Sequence, residues 1–441
     1  MRYKWSNYNY FVFNDNNFVC YNTKSGAVSF GETELFDSKS IDEDATRLVD
    51  HTFFPFFLKN GFIISEDTNE LNQLRELNKN KDIHTMHVTL VPTIDCNFTC
   101  SYCYQKGTHS NYYMTSELSQ GVLKFIREKC LNNPINSIQL TWFGGEPTLS
   151  LDFIEEFMSN LTTLSDDTTG FTTTTTIVTN GYLLTPEVFE RLYKSYVRIF
   201  QITLDGEEDN HDRYRVLVDG TKTFQTIYNN LLAIKRLMPQ DYEFLIQIRA
   251  NFFKDNIVSM QSLLESYSKD FNDDKRFSVS FRPILDFTGD FKKDVASKIE
   301  ARKMEASMIN YMKSQDVDID DDNRMFTLLP IPVSHWCKSS EIFRYVINYN
   351  GGVYCCNSAM TNSNHCVGHL ESDGSMTINE DSVNQWDSSP FEDLSSYCLK
   401  CKRLPVCMGG CAKERIEFGK APCHWTDTYI NNILDNLLLS I

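Results

Sequence analysis

From about residue 84 to 285 the chain repeats one arrangement: a short apolar or alternating run, then a stretch whose apolar residues recur at helical spacing. Thr85–Val91 reads as a strand, and Thr115 stands where it can cap a helix carrying Leu118, Val122 and Phe125 on one face. Ile138–Phe143 is the next strand and ends at Gly144-Gly145. Ser150 is placed to cap a helix with Ile154, Phe157, Met158 and Leu161 on one side. Thr172–Thr179 forms a Thr-rich strand ending at Asn180-Gly181, after which Thr185-Pro186 opens a helix in the favoured cap and first-turn order. Strands at Ile199–Leu204, Phe244–Asn251 and Phe277–Pro283 continue the series. Such alternation predicts parallel strands joined by crossover helices. Six strand–helix units are countable, short of the eight that close a barrel, so a partial (β/α)6 barrel is expected.

The flanks differ. Tyr10–Phe13 and Phe18–Tyr21 bracket the turn-rich Asn14-Asp15-Asn16-Asn17, which predicts a hairpin. A helical stretch over Glu43–Asp50, a short strand over Gly61–Ile64 and the charged Glu70–Lys81, helix or linker, complete a small α/β, winged-helix-like unit. Residues 296–326 are charged and read as a helical bridge. Beyond them periodicity fades and cysteine accumulates, so metal rather than a large core is expected to stabilise the end of the chain. The expected division is 1–82, 83–295, 296–336 and 337–441.

Composition sharpens this picture. The 441 residues are 41% hydrophobic, enough for real cores, and 42 Lys and Arg against 59 Asp and Glu give a net charge of −17. An acidic surface disfavours phosphate backbones, so no nucleic-acid partner is expected. No apolar run approaches the roughly 20 residues that span a bilayer. The start, Met1-Arg2-Tyr3-Lys4-Trp5, lacks the apolar core of a secretory signal. A cytoplasmic protein without a membrane partner is the expectation. In a reducing compartment the fourteen cysteines read as metal ligands rather than disulfides. Three lie at 96–103 and nine between Cys337 and Cys423.

The first group, Cys96-x3-Cys100-x2-Cys103, offers three thiolates, which suits a 4Fe–4S cluster with one iron left open. A closed zinc site is the alternative; it wants four ligands, and His109 is the nearest further donor. The spacing, with Tyr102 just before the third cysteine, resembles the signature of the radical S-adenosylmethionine (SAM) enzymes. In that family the open iron is chelated by the amine and carboxylate of SAM, and reductive cleavage gives a 5′-deoxyadenosyl radical that abstracts hydrogen. Three further segments match the family in order, each at a strand end. Gly144-Gly145-Glu146-Pro147 resembles its GGEP motif, which implies that Gly144, Gly145 and Glu146 contact the SAM amine. Asn180 falls where the ribose is expected. Thr203-Leu204-Asp205-Gly206 with His211, Asp212 and Arg215 resembles a further family stretch, in which Arg215 would pair with the SAM carboxylate as a charged fork. Thr203 and Tyr102 complete the SAM-binding set. Taken singly, a Gly-Gly or Asn-Gly pair is an ordinary turn and an arginine an ordinary surface charge. Their order, at the edge where parallel α/β scaffolds gather their sites, gives the reading its force.

The second group reads Cys337, thirteen residues to Gly351, four more to Cys356, then Cys398-x2-Cys401-x5-Cys407-x3-Cys411 and finally Cys423. The run from Cys398 alone fits a zinc ribbon. The whole resembles the SPASM extension of radical SAM enzymes, at all seven positions. That resemblance implies two auxiliary 4Fe–4S clusters, hence three in all: one on Cys398, Cys401, Cys407 and Cys423, the other on Cys337, Cys356 and Cys411. Some members add a cysteine six residues before the first; here that position is Ile331, which leaves Cys355, Cys366, His335, water or the substrate as fourth ligand.

SPASM enzymes include maturases of ribosomally made peptides and anaerobic sulfatase-maturating enzymes. About 85 residues precede the first barrel strand, in a pattern resembling leader-recognition domains that bind a peptide as an added strand. Sulfatase maturases usually carry Asp after the cysteine matching Cys356, where this chain has Asn357. The expectation is therefore a peptide maturase that installs a cross-link, a thioether among the options, in a precursor peptide with a leader. An electron donor such as flavodoxin or ferredoxin would serve it. The alternatives are an anaerobic sulfatase-maturating enzyme forming formylglycine, and a non-catalytic iron–sulfur electron-transfer or binding protein.

Overall fold

The computed structural model describes all residues except 35, 37–40, 42–43, 106–110, 168–169, 255, 285–294, 297, 318–328, 388–390, 392–395, 420–421 and 440–441. His109 and parts of the expected 43–50 helix and 296–326 bridge lie outside the described residues. The chain forms two compact units, residues 1–81 with 325–340 and 385–441, and residues 82–324 with 341–384. This grouping cuts across the four-part division read from the sequence, because 341–384 joins the barrel while 385–441 joins the N-terminal residues.

In the first unit, β1 (Tyr3–Trp5) precedes the expected hairpin of β2 (Asn9–Phe13) and β3 (Asn17–Asn22), and β4 (Val28–Glu32) adds a third antiparallel strand. After α1 (Phe54–Lys59), β5 (Ile63–Ser65) pairs with β1, and Glu70–Lys79 is a helix, α2, capped by the Asn69 side chain. Of the stretch 43–50, the described part holds a single tight turn, Ala45–Leu48. Strand β3 is buried on both faces. Phe18 and Cys20 face an aromatic core with Phe36, Phe57 and Phe62, while Val19 and Tyr21 face Ile430 and Leu434 of the helix Asp427–Leu439. Each fully buried Phe there contributes roughly 1.5–3 kcal/mol of transfer free energy.

In the second unit, six parallel strands follow the order expected: β6 (Thr85–Leu90), β7 (Ser137–Trp142), β8 (Thr172–Thr179), β9 (Val197–Thr203), β10 (Leu245–Phe252) and β11 (Phe277–Pro283). Between them run α3 (Ser116–Asn132), α4 (Leu151–Asp167), α5 (Pro186–Lys194), α6 (Glu208–Tyr214), α7 (Phe224–Leu237) and α8 (Ile257–Asp270); α9 (Lys298–Ser314) follows β11. Thr115 and Thr185 cap α3 and α5 as expected. Ser150 does not cap α4: a short 3-10 turn, Pro147–Ser150, capped by Glu146, runs straight into that helix.

Parallel strands covered on both faces usually read as continuous apolar runs. These alternate. In β10, Ile246, Ile248, Ala250 and Phe252 are buried, while Gln247, Arg249 and Asn251 point the other way and are half-buried. One face packs on helices; the other lines a polar cavity. The sheet also extends further than the sequence indicates. β12 (Arg344–Ile347) pairs parallel with β6, and β13 (Gly352–Tyr354), β14 (Gly368–Leu370) and β15 (Met376–Ile378) add antiparallel strands, making ten. Among the described residues no helix is long and apolar enough to cross a membrane.

Candidate active site

Beyond the ends of β6 to β11 lies a cavity of about 470 Å³. Cys96, Cys100 and Cys103 line it together with Tyr102, Gly144, Gly145, Asn180, Thr203 and Arg215, so nine of the expected first-site residues share one space. Glu146 does not.

The loop after β6 is held by backbone contacts on two sides. Thr99 and Ser101 donate N–H to the carbonyls of Val216 and Tyr214, and Glu146 N–H donates to Asp95 O at 2.8 Å. The two glycines allow this approach. A Cβ on Gly144 would lie 2.2 Å from Thr93 O, at a φ of +134°, and one on Gly145 would lie 2.1 Å from Asp95 O. Gly-Gly at this strand end is therefore the steric seat of the cysteine loop.

Glu146 is completely buried, and its carboxylate is engaged within the protein. Oε1 accepts from Thr148 N, Thr148 Oγ1 and Thr179 Oγ1 at 3.0, 2.6 and 2.7 Å, and Oε2 accepts from Asn180 N at 2.7 Å. Burial pushes its pKa up against the pull of those donors. The side chain that the family resemblance assigns to the SAM amine ties the end of β7 to the end of β8. Asn180, which Glu146 holds by its backbone, faces the cavity and donates to Asn97 Oδ1 at 2.7 Å.

Arg215 is 6% exposed, and its guanidinium lies over the Phe98 ring at 5.5 Å. Nη1 donates to Tyr102 Oη at 2.9 Å, while Nε has no hydrogen-bond partner among the described residues. Burial opposes its charge, but Tyr102, Cys100 and Asp205 hold its pKa well above the usual value. A buried cation with an unused donor, facing a cavity, is prepared for an anionic group.

The rest of that motif holds Arg215 in place. His211 is buried, and its pKa is driven well below the usual value by burial and by Arg215. The ring is therefore neutral. Nδ1 accepts from Asp205 N at 3.1 Å, so Nε2 carries the proton toward Thr223 Oγ1 at 3.2 Å, and Thr223 donates in turn to Arg215 O at 2.8 Å. Asp212 Oδ1 accepts from the backbone N–H groups of Thr223 and Phe224 at the start of α7. His211, Asp212 and Thr223 thus hold Arg215 through backbone groups; Asp205, His211 and Asp212 were part of the motif read from the sequence without a role assigned to them, and Thr223 was not singled out. Nor were Gln201, Arg249 and Asn251, which line the cavity from β9 and β10, or Ser358; Asn357, which the sequence marked as the residue after Cys356, lines it too. The inward alternation of β9 and β10 was the signal available for the first three.

The donor set fits an iron–sulfur cluster. Burial pushes the Cys100 thiol up to about 11 and raises Cys96 and Cys103 as well. Such thiols ionise when a cationic centre replaces the lost water. Among the described residues no three His, Cys, Asp or Glu side chains gather as a single ion requires. The fit therefore rests on three thiols that line one cavity, with Cys100 and Cys103 near enough to raise the pKa of Cys96 after burial and Glu146.

In the other unit, Cys398, Cys401, Cys407 and Cys423 line one small pocket with Arg403 and Trp425. Burial, followed by the nearby Cys401, Cys423 and Cys398, pushes Cys407 up to about 12. Met408, Gly409 and Gly410 have positive φ in succession and turn the chain between Cys407 and Cys411. Cys411 has Cys337 close enough to raise its pKa, after burial. Cys356 follows β13 in the barrel unit, where Cys355 is buried with Arg344 Nη2 at 3.6 Å, and Cys366 donates to Gly368 O at 3.1 Å.

The fold and cavity define a parallel α/β scaffold for cluster-dependent chemistry at its strand ends. Residues 90–248 match the model of the Radical SAM superfamily. The chain carries a radical SAM domain, and that class implies SAM and a 4Fe–4S cluster. A cysteine-type anaerobic sulfatase-maturating enzyme of Clostridium novyi (strain NT) is 24% identical over 336 residues, 73% of this chain and 86% of that relative. Among solved structures, native anSMEcpe with bound AdoMet and Cp18Cys peptide aligns with a TM-score of 0.58 at 18% identity, covering 80% of this chain and 95% of the other. Streptococcus suis SuiB bound to precursor peptide SuiA aligns with a TM-score of 0.52 at 16% identity, covering 95% of this chain and 97% of the other. At these identities the structural likeness concerns the fold.

Proposed function

We propose that this enzyme oxidises a side chain of a peptide or protein by two electrons, in the manner of the sulfatase-maturating enzymes. The observation that carries the reading is the alignment with such an enzyme over 73% of this chain. The cross-link expected first from the sequence takes second place. It is favoured by two observations: SuiB aligns with 95% of the chain, and Asn357, an amide and not a carboxylate, stands on the cavity wall. Both readings are two-electron oxidations: a serine or a cross-linked pair loses two hydrogens, and a cysteine loses two hydrogens and then exchanges sulfur for oxygen by hydrolysis, releasing hydrogen sulfide.

In this reading Cys96, Cys100 and Cys103 hold the SAM-binding cluster, and SAM when bound supplies the hydrogen-abstracting radical. Arg215 receives its carboxylate, the Gly144–Gly145 backbone and Asn180 line its seat, and Glu146 keeps that seat in shape. Cys398, Cys401, Cys407 and Cys423 hold a second cluster, and Cys337, Cys356 and Cys411 contribute to a third. These would take the second electron and pass it to a flavodoxin- or ferredoxin-like protein in the cytoplasm. The β2–β3–β4 sheet, with Phe30 of β4 62% exposed, offers an edge to a leader peptide.

The test is to incubate the reconstituted enzyme, SAM and reductant with a peptide bearing a sulfatase's active-site cysteine or serine, and separately with a leader-bearing precursor peptide such as SuiA. An aldehyde captured by a hydrazide supports formylglycine formation. Loss of two hydrogens with no aldehyde favours the cross-link. SAM turnover that neither peptide changes, with both recovered intact, would overturn the peptide reading.

A further inference from the structure

Asp205 lies behind the cavity wall at 1% exposure, yet it organises three groups on that wall. Oδ1 accepts from Asn251 N and Nδ2 at 2.9 and 3.1 Å, and Oδ2 accepts from the Tyr102 hydroxyl. Because Tyr102 gives its one proton to Asp205, its lone pairs are left for Arg215, whose Nη1 donates to the same oxygen. The Tyr102 ring is braced edge-on by Phe253 at 6.0 Å.

The interposed hydroxyl has a consequence. A direct carboxylate partner would take the planar fork of Arg215 bidentately and leave less of it for a ligand. Among the described residues Arg215 makes no such ion pair. The acid sits one hydrogen bond further back, where it offsets the buried charge while Nε stays unpaired among the described residues. Tyr102 also stands between Cys100 and Cys103, so the same bridge links the cysteine loop to the arginine.

We propose that Asp205 is a positioning residue for SAM, acting through the Tyr102 hydroxyl to aim the Arg215 guanidinium at the carboxylate of SAM. The proposal rests on the radical SAM assignment and is independent of the substrate. Its test is equilibrium dialysis of the reconstituted protein with SAM and with decarboxylated SAM, alongside iron content and thermal melting. Tyr102→Phe should weaken SAM binding about tenfold, the scale of one misdirected charge-assisted hydrogen bond. Asp205→Asn should shift it in the same direction, and the double variant should bind no worse than the weaker single one, since both act along one path. Decarboxylated SAM should bind the variants and the wild type alike. Unchanged SAM binding in both variants would overturn the proposal, as would equal losses for the two ligands or additive losses in the double variant. Loss of iron from both variants would assign the bridge to holding the cysteine loop instead. Failure of the wild type to bind SAM would overturn the underlying assignment itself.

Discussion

The two cysteine-lined sites differ in what holds them. Cys96, Cys100 and Cys103 hang from the end of a strand, and the groups around them come from the ends of β7, β8, β9 and β10. Hydrogen bonds from the backbone N–H groups of Thr99, Ser101 and Glu146, together with the glycine seat, hold that loop to the scaffold. Cys398, Cys401, Cys407 and Cys423 lie instead among two helices of four residues each, Ser396–Leu399 and Leu404–Cys407. Helices that short do not stand alone in water. The proposed barrel ligands rest on a scaffold built without them, whereas the proposed C-terminal ligands would have to support theirs.

The largest effect expected from this contrast is on catalysis. Cys100→Ala should lower reductive SAM cleavage more than about a thousandfold, over 4 kcal/mol in barrier, because the three-thiolate set is broken. The amide exchange of residues 398–411 should stay as in the wild type. SAM cleavage retained in that variant would sink the catalytic assignment. Removing all iron with a chelator reads the other side. Opening free energies of the 398–411 amides should then fall by several kcal/mol, while β6 to β10 keep their protection in hydrogen-exchange mass spectrometry. Equal loosening of both regions would erase the distinction.

The same contrast explains what the sequence disclosed. Strands β6 to β11 were legible because alternation over six to eight residues gives a clear period, and the site residues at their ends followed from their place in that order. β13, β14 and β15 have three residues each, too few for a period, so the extension of the sheet past β6 went unseen. Glu146 is assigned to the SAM amine by the resemblance of Gly144-Gly145-Glu146-Pro147 to the GGEP motif. Its four internal donors become visible only when Thr148 and Thr179 are brought beside it. Asp205 and His211 were visible as members of a motif but their roles were not: each acts at one remove, through Tyr102 or through Thr223, and sequence spacing carries no trace of a second hydrogen bond.

The smallest predicted effect tests whether the barrel site is held by sterics rather than by metal. A Cβ on Gly145 would stand 2.1 Å from Asp95 O and 2.6 Å from Ile94 O, backbone atoms that cannot swing aside like the tip of a side chain. Its φ is not among the positive ones, so Gly145→Ala carries no left-handed strain and reports the contact alone. Gly220 supplies the reverse case, with a φ of +87° and nothing within 4 Å of its Cβ. Gly145→Ala should cost about 1–3 kcal/mol by overpacking, with the melting temperature falling in metal-free protein as much as in the iron-loaded form. Gly220→Ala should cost about 1–2 kcal/mol of backbone strain and leave SAM affinity untouched. Because the displaced atoms belong to the residue before Cys96, Gly145→Ala should also weaken SAM binding. If its cost appeared only in the iron-loaded protein, the loop would be shaped by the cluster and not by the strand end that receives it.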